Sequence, residues 1–304
     1  MNTETICNAL ESILPKEQIH ENELMSRHTT FRIGGPASCL LEICNKQELS
    51  GVLDLLHREA LPYFVLGNGS NLLVSDKGYE GIVIKLAGEF TRVTVEGSRI
   101  RVGGAVTMAA AARKALDLGL TGLEFAAGIP GTVGGGMVMN AGAYGSDLSR
   151  VTEAVLLVDG RGEALEKTNA QMEFGYRTSA IKDGSYIVTE AVLALEPGNP
   201  EEIRRTMDEL AVKRREKQPL EYPSAGSTFK RPEGYFAGEL IMKAGLAGFR
   251  IGGAEVSKKH CGFVINTGGA TASDVQQVIC EVQRQVKHRF GVELEPEVIF
   301  LGEF

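Results

Sequence analysis

Residues 122–136 read Gly122-Leu123-Glu124-Phe125-Ala126-Ala127-Gly128-Ile129-Pro130-Gly131-Thr132-Val133-Gly134-Gly135-Gly136, and the chain runs on as Met137-Val138-Met139-Asn140-Ala141-Gly142-Ala143-Tyr144-Gly145. From Gly119 to Gly145, nine of 27 residues are glycine. No ordinary turn needs that many. Glycine at this density serves a backbone that must turn sharply or come close to something. Small residues on both sides of Thr132 leave room for a diphosphate or a flat ring. Close packing of the chain on itself is the alternative.

A second tract, Gly67-Asn68-Gly69-Ser70-Asn71, lies between two apolar runs, Tyr63-Phe64-Val65-Leu66 and Leu72-Leu73-Val74. Successive N–H groups in such a turn can form a nest for phosphate oxygens, with Ser70 and Asn71 adding donors. Asn-Gly is equally the signal of a tight hairpin turn. Neither tract fits the common nucleotide motifs. A Rossmann fingerprint needs G-x-G-x-x-G, whereas Gly67-x-Gly69 is followed by Leu72, and no G-x-x-x-x-G-K-[ST] string occurs. Together the two tracts point to a diphosphate dinucleotide held by a fold other than Rossmann.

The 304 residues carry 32 basic and 39 acidic side chains, a net charge of −7 that leaves no global footprint for nucleic acid or an anionic membrane surface. Apolar residues at 43% and charged residues at 23% are those of a globular protein with a sizeable core. No apolar run reaches the roughly 18 residues of a membrane span. The start, Met1-Asn2-Thr3-Glu4-Thr5-Ile6-Cys7, has no basic stretch and no long apolar stretch, so no signal peptide is expected. Five cysteines without C-x-x-C spacing predict a reducing, cytoplasmic setting and no metal site.

Periodicity predicts a helix over 3–14, a β-rich run over 29–33 and a β-α-β unit over 39–75. Strands follow at 82–84, 92–95 and 100–102, then an Ala-rich helix over 107–118 capped by Thr107. Two strands flank the turn Asp159-Gly160-Arg161-Gly162. A charged helix is expected over 200–215, and Pro219, Pro223 and Pro232 mark a domain boundary near 217–232. Helices over 237–244 and 273–289, a strand at 263–265 and a terminal strand over 292–301, interrupted by Pro296, complete an α+β chain.

Seven strings, in order, resemble the UDP-N-acetylenolpyruvoylglucosamine reductase family, flavoenzymes of peptidoglycan precursor synthesis. They are Thr30-Phe31-Arg32-Ile33-Gly34-Gly35, residues 67–74, residues 128–135, residues 140–145, Phe174-Gly175-Tyr176-Arg177-Thr178-Ser179, Ala225-Gly226-Ser227-Thr228-Phe229-Lys230 and Leu294-Glu295-Pro296-Glu297-Val298. The resemblance implies an FAD-binding fold of the vanillyl-alcohol oxidase (PCMH) type in two subdomains, 1–80, joined by the C-terminal strand 293–304, and 81–215. An α+β substrate-binding domain, 216–292, follows. It implies non-covalent FAD held by Gly67, Asn68, Gly69, Ser70 and Asn71 and by Gly128, Ile129, Pro130, Gly131, Thr132, Gly134, Gly135 and Asn140. No His or Cys stands in these loops to anchor a flavin covalently.

The family reaction takes a hydride from NADPH to FAD and then to the enolpyruvyl group of UDP-N-acetylglucosamine enolpyruvate. Such a site needs charge stabilisation and one proton donor. By the resemblance these are Arg177 and Glu297 for the charge and Ser227 for the proton. Read without it, Arg177 is a surface residue of a polar loop and Ser227 a turn or cap residue. Glu293, Glu295 and Glu297 share one strand face by period 2 and look solvated, so the resemblance alone selects Glu297.

Residues 213–231 hold Lys213, Arg214, Arg215, Lys217, Lys230 and Arg231 against Glu216 and Glu221, an excess suited to a UDP diphosphate or to a solvated helix end. The resemblance places Lys217 on the substrate diphosphate and Arg231 and His260 on the substrate side; Tyr144 and Tyr176 are further candidate substrate contacts. Longer family members carry an inserted lid. Here only residues 181–185 stand in its place, as in the shorter class. Two rival readings stay open: an FAD oxidase of the same fold acting on another substrate, and a non-catalytic nucleotide-sugar-binding protein.

Overall fold

The computed structural model describes residues 9–304. The first half of the helix expected over 3–14 therefore lies outside the described residues. The chain divides into two compact units. The first comprises the chain up to Glu21, Cys39–Asn68 and Gly81–Arg214; the second comprises Asn22–Ser38, Gly69–Glu80 and Arg215–Phe304.

In the first unit, the helix Lys46–Arg58 carries Leu49, Val52, Leu53 and Leu56 on one buried face. Asn45 sets its start by accepting from Glu48 N–H at 2.9 Å, and the Glu48 carboxylate accepts in return from Cys44 N–H at 2.7 Å. The buried face packs with Cys39, Leu41, Ile43, Ile82 and Ile84. These belong to a four-stranded sheet in the order Ile19–Leu24, Pro36–Ile43, Tyr79–Leu86, Tyr63–Leu66. The last two strands run parallel, with Phe64 opposite Val83.

A second, antiparallel sheet of the same unit orders Ala164–Thr168, Thr152–Asp159, Tyr186–Ala194, Arg99–Gly103 and Val93–Glu96. Its inner side chains Ile100, Val102, Val155, Leu157 and Leu193 share a core with Met108, Ala111 and Ala115 of the helix Met108–Asp117 and with Val133 and Met137 of the helix Val133–Met139. Thr107 caps the former, accepting from Ala110 N–H at 3.1 Å. This core fixes the glycine-rich segment between the two helices.

The second unit packs the helices Ala237–Lys243 and Ala272–Phe290 with an antiparallel sheet of Arg250–Ile251, Ala254–Val256 and Val264–Asn266. Leu72–Val74 pairs in parallel with Ile299–Leu301, so Leu73 joins Phe31, Ile241, Val275, Val278 and Val282 in one core. A capping box between Thr271 and Asp274 starts the long helix, and Asp76 accepts from Ala272 N–H at 2.7 Å and Ser273 N–H at 3.0 Å.

Two expected β segments depart from regular strands. Residues 29–33 form an irregular loop: Arg32 has φ +55°, outside the β region, and Thr29 Oγ1 donates to Ile33 O at 3.0 Å. Of residues 292–301 only Ile299–Leu301 is a regular strand. Pro296 lacks the N–H that a ladder needs, and its segment makes a single bridge to Phe229. Among the described residues no helix is long and apolar enough to cross a membrane, and no group of three His, Cys, Asp or Glu side chains is placed to hold a metal ion.

Candidate active site

Within the first unit the two glycine tracts meet. A Cβ on Gly67 would lie 2.6 Å from Thr132 Oγ1, and Asn68 Nδ2 donates to Pro130 O at 3.0 Å. Gly131 O accepts from Met108 N–H at 3.0 Å, and Ile129 leans on the core. Thr132 caps the helix Val133–Met139, accepting from Gly135 N–H at 3.2 Å.

Three glycines inside that helix call for a reason, since each costs about 1 kcal/mol relative to alanine. A Cβ on Gly134 would stand 2.9 Å from Gly104 O, and one on Gly136 would stand 2.8 Å from Leu148 Cδ1. Packing explains both. Gly135 is exposed, and its nearest neighbour is its own cap at 3.5 Å. Its bareness leaves the backbone clear for close approach from outside, which is what a diphosphate or ring edge needs. The loop fits the FAD that the sequence implies.

Arg214 lies over the same loop. A Cβ on Gly128 would be 3.0 Å from its Nη1 and 3.2 Å from its Cδ. Burial holds the guanidinium pKa below its ordinary value, while the Tyr144 phenol acts in the opposite sense. The sequence shows Arg214 only as one cation in a basic run. Its seat on Gly128 depends on where the helix Pro200–Lys217 passes, which no local pattern reports. Its neighbours Lys213 and Arg215 are exposed, as the solvated reading has it.

Arg177 is half-buried rather than a surface residue. It sits in a tight turn closed by Gly175 and Thr178, at φ +54°, a region an arginine seldom occupies. Its Nη2 donates to Gly142 O at 3.2 Å, its carbonyl accepts from Lys182 Nζ at 2.8 Å, and the Tyr176 ring centroid is 5.3 Å from its Cζ. Asn140, expected to bind the cofactor, holds this turn. It ends the glycine helix at φ +42°, its Nδ2 donates to Gly175 O at 3.0 Å and its Oδ1 accepts from Ser149 N–H at 3.0 Å. With both ends of the amide engaged, it serves as a brace between helix and turn. Tyr144 is 49% exposed, at φ +56°, and its hydroxyl donates to Leu210 O at 3.4 Å.

The second unit pairs the segment that follows Ser227 with the segment bearing Glu297. Glu297 N–H donates to Thr228 O at 2.8 Å and Lys230 N–H to Glu295 O at 2.9 Å, about the bridge Phe229–Pro296. Thr228 is itself buried, with its Oγ1 accepting from Val264 N–H at 2.9 Å. Ser227, next to it, is exposed. The three glutamates do not share one fate: Glu293 pairs with Lys287 and Glu295 with Lys230, both exposed, whereas Glu297 is half-buried. Asn71, expected to bind the cofactor, donates its Nδ2 to Glu297 O at 3.0 Å. Gly69 and Ser70 stand in the turn before it, Gly69 at φ +58°.

Among the substrate-side candidates, His260 feels the charge of Lys217. Its ring lies in a slot where a Cβ on Gly262 would be 2.9 Å from Cε1 and one on Gly238 would be 3.3 Å from it. Gly262 N–H donates to its Nδ1 at 3.1 Å, and Gly262 O accepts from Thr228 N–H at 2.8 Å. Burial lowers the imidazole pKa, its own backbone carbonyl opposes this, and the nearby Lys217 charge lowers it further. Lys217 is exposed, and Arg231 stacks its guanidinium 4.1 Å above the Phe236 ring centroid.

Comparison with known proteins accords with this arrangement. Residues 218–301 match the family model for the UDP-N-acetylenolpyruvoylglucosamine reductase C-terminal domain, and residues 37–167 match an FAD binding domain. The chain is 50% identical over 300 residues to the UDP-N-acetylenolpyruvoylglucosamine reductase of Caldanaerobacter subterraneus subsp. tengcongensis, covering 99% of each. It is 46% identical to that of Clostridioides difficile, covering all of both. The crystal structure of UDP-N-acetylenolpyruvylglucosamine reductase from Thermus caldophilus superposes with a TM-score of 0.81 at 38% identity, over 92% of this chain and 98% of that one. A Phl p 4 variant, 13% identical with a TM-score of 0.51 over 64% of this chain and 44% of that one, shares the fold alone. With relatives this close over its whole length, the chain belongs to the UDP-N-acetylenolpyruvoylglucosamine reductase family and is an FAD-binding oxidoreductase of the vanillyl-alcohol oxidase type of fold.

Proposed function

We propose that the protein uses NADPH to reduce the enolpyruvyl group of UDP-N-acetylglucosamine enolpyruvate to the lactyl ether of UDP-N-acetylmuramate, in the cytoplasm, as a step of peptidoglycan precursor synthesis. The observation that supports this reading is the pairing of Glu297 N–H with Thr228 O, which joins the segment bearing a half-buried glutamate to the residue that follows an exposed serine.

Bound FAD supplies the hydride. The chain's residues hold the ligands, steady charge and move one proton. Gly67, Asn68, Gly128 to Thr132, Gly134 and Gly135 form the diphosphate and ring cradle in the first unit, with Arg214 adding positive charge over Gly128. Gly69 and Ser70 belong to the same expected FAD set. Arg177 has the planar donors that suit a carboxylate gaining negative charge as the double bond is reduced. Ser227 gives the proton to the adjacent carbon, and Glu297 supports that transfer. Lys217 and Arg231 meet the substrate diphosphate, His260 and Tyr144 other parts of the substrate. In domain terms, 1–80 with 293–304, and 81–215, hold the flavin, while 216–292 holds the UDP-sugar.

Anaerobic half-reactions test the reading. NADPH should bleach the flavin, and UDP-N-acetylglucosamine enolpyruvate should restore its colour with a product heavier by two hydrogens. Restoration by oxygen alone, with no reduced product, would instead support an oxidase.

A further inference from the structure

His260 is more tightly specified than substrate contact alone requires. A backbone N–H can only donate, so Gly262 N–H at 3.1 Å forces Nδ1 to be the acceptor. The ring proton of the neutral imidazole then sits on Nε2. Nε2 has no hydrogen-bond partner among the described residues, although the ring is half-buried. Protonating Nδ1 would set two donors against each other and put a second cation beside Lys217. The other tautomer would aim Nδ1–H at the Gly262 N–H, donor against donor.

The ring has neighbours on several sides. Gly238 and Gly262 form the two walls on its Cε1 side, and Phe263 meets it edge to face with centroids 5.0 Å apart. Ser257 Oγ accepts from His260 N–H at 3.3 Å and Lys259 N–H at 3.2 Å. Of the charged groups around it, Lys259 is paired with Glu221 at 3.6 Å, and Lys217 is the one that acts on the ring.

Resting on the UDP-sugar reading above, we infer that His260 is a positioning residue for the sugar half of the substrate: a neutral imidazole whose Nε2–H donates to an uncharged oxygen, a hydroxyl or the N-acetyl carbonyl, while Lys217 takes the diphosphate. A neutral donor beside a cation divides the work. The cation answers the diphosphate, and the directional N–H distinguishes a sugar oxygen correctly placed from one that is not. The Gly262 link to Thr228 ties that donor to the segment bearing Ser227.

Calorimetric titration of the flavin-loaded protein with UDP and with UDP-N-acetylglucosamine separates the two roles. His260→Ala should weaken UDP-N-acetylglucosamine on the order of three- to tenfold, the range of one hydrogen bond, and leave UDP unchanged. His260→Gln, which keeps an N–H donor, should recover most of the loss. In turnover, His260→Ala should raise KM and leave kcat close to wild type. Two-bond proton–nitrogen spectra of the wild type, which need no variant, should show a neutral ring protonated on Nε2 at neutral pH. Equal loss of UDP and UDP-N-acetylglucosamine, no loss of either, or a ring protonated on Nδ1 would each overturn the inference. If the wild type binds neither ligand, the UDP-sugar reading itself falls; if it binds both and His260→Ala is silent, only this inference does.

Discussion

Asn71 and Glu297, 226 residues apart in sequence, are joined by a hydrogen bond of 3.0 Å from the Asn71 amide to the Glu297 carbonyl. The strand pair Leu72–Val74 and Ile299–Leu301 continues from that contact, with Ile299 N–H donating to Asn71 O at 2.9 Å. A side chain from a glycine tract thus holds the backbone of a glutamate 226 residues further along the chain. Asn71→Ala removes one bond to a backbone acceptor, about 0.5–1.5 kcal/mol. Reoxidation of the flavin by the enolpyruvyl substrate should slow by up to about tenfold, since the position of Glu297 loosens, while FAD content stays near wild type. Asn71→Asp should slow it more, because a carboxylate would face a carbonyl oxygen. Stopped-flow reoxidation on proteins matched for flavin content checks both.

Arg177→Ala and Glu297→Ala should each cut turnover on the order of 10²–10³, the scale of losing one group aimed at developing charge. Flavin reduction by NADPH should survive in both, because that half-reaction builds no such charge on the substrate carboxylate. Arg177→Lys should recover little, as an ammonium cannot present the same planar fork. Equal loss in the two half-reactions would move these side chains from the substrate to the flavin.

Ser227→Ala should bind FAD and accept hydride normally but reoxidise about 10²–10⁴ times more slowly, as expected for a lost positioned acid. Ser227→Cys should keep more activity. In deuterated water the wild type should place solvent deuterium on the lactyl α-carbon. Wild-type reoxidation by Ser227→Ala, with the same label, would assign the proton to water or another residue.

The glycine helix gives a prediction that separates folding from binding. Gly135→Ala should stabilise the apo-protein by roughly 0.5–1 kcal/mol, because alanine is the better helix residue and the new methyl meets nothing but its own cap. The same methyl should weaken FAD, seen as a smaller rise in melting temperature on adding the cofactor. Gly134→Ala should instead lower the apo-protein's melting temperature, with its Cβ 2.9 Å from Gly104 O. A Gly135→Ala protein with undiminished FAD affinity would remove that helix face from the cofactor cradle.

What could be read without coordinates was the periodic part of the fold and the motif residues. Thr107 and Asp159-Gly160-Arg161-Gly162 act locally, so a cap and a turn are visible in a handful of residues. Residues 29–33 misled because β-branched side chains favour strands, yet Arg32 takes a left-handed φ and Thr30 Oγ1 donates instead to Ser224 O at 2.7 Å. Glu297 looked like two neighbouring glutamates until the Phe229–Pro296 bridge drew its segment inward. Asn140 and Asn71 were legible as site residues but not as braces. The amide partners lie 35 and 226 residues away, beyond any local pattern. Arg214 and the His260 slot were hidden for the same reason.

The second unit is assembled from three separated stretches of chain, and this has a consequence for biosynthesis. Phe31 and Leu73 leave the ribosome early, but the strand Ile299–Leu301 and the helix Ala272–Phe290 that complete their core are made much later. Until then those apolar side chains and the unpaired edge of Leu72–Val74 stay open to water and to other nascent chains. Chaperone engagement should therefore be concentrated on early-made segments and released only when those later segments emerge. A chain stalled or truncated before Ile299 should remain chaperone-bound or aggregate, even with every glycine of the flavin cradle already synthesised.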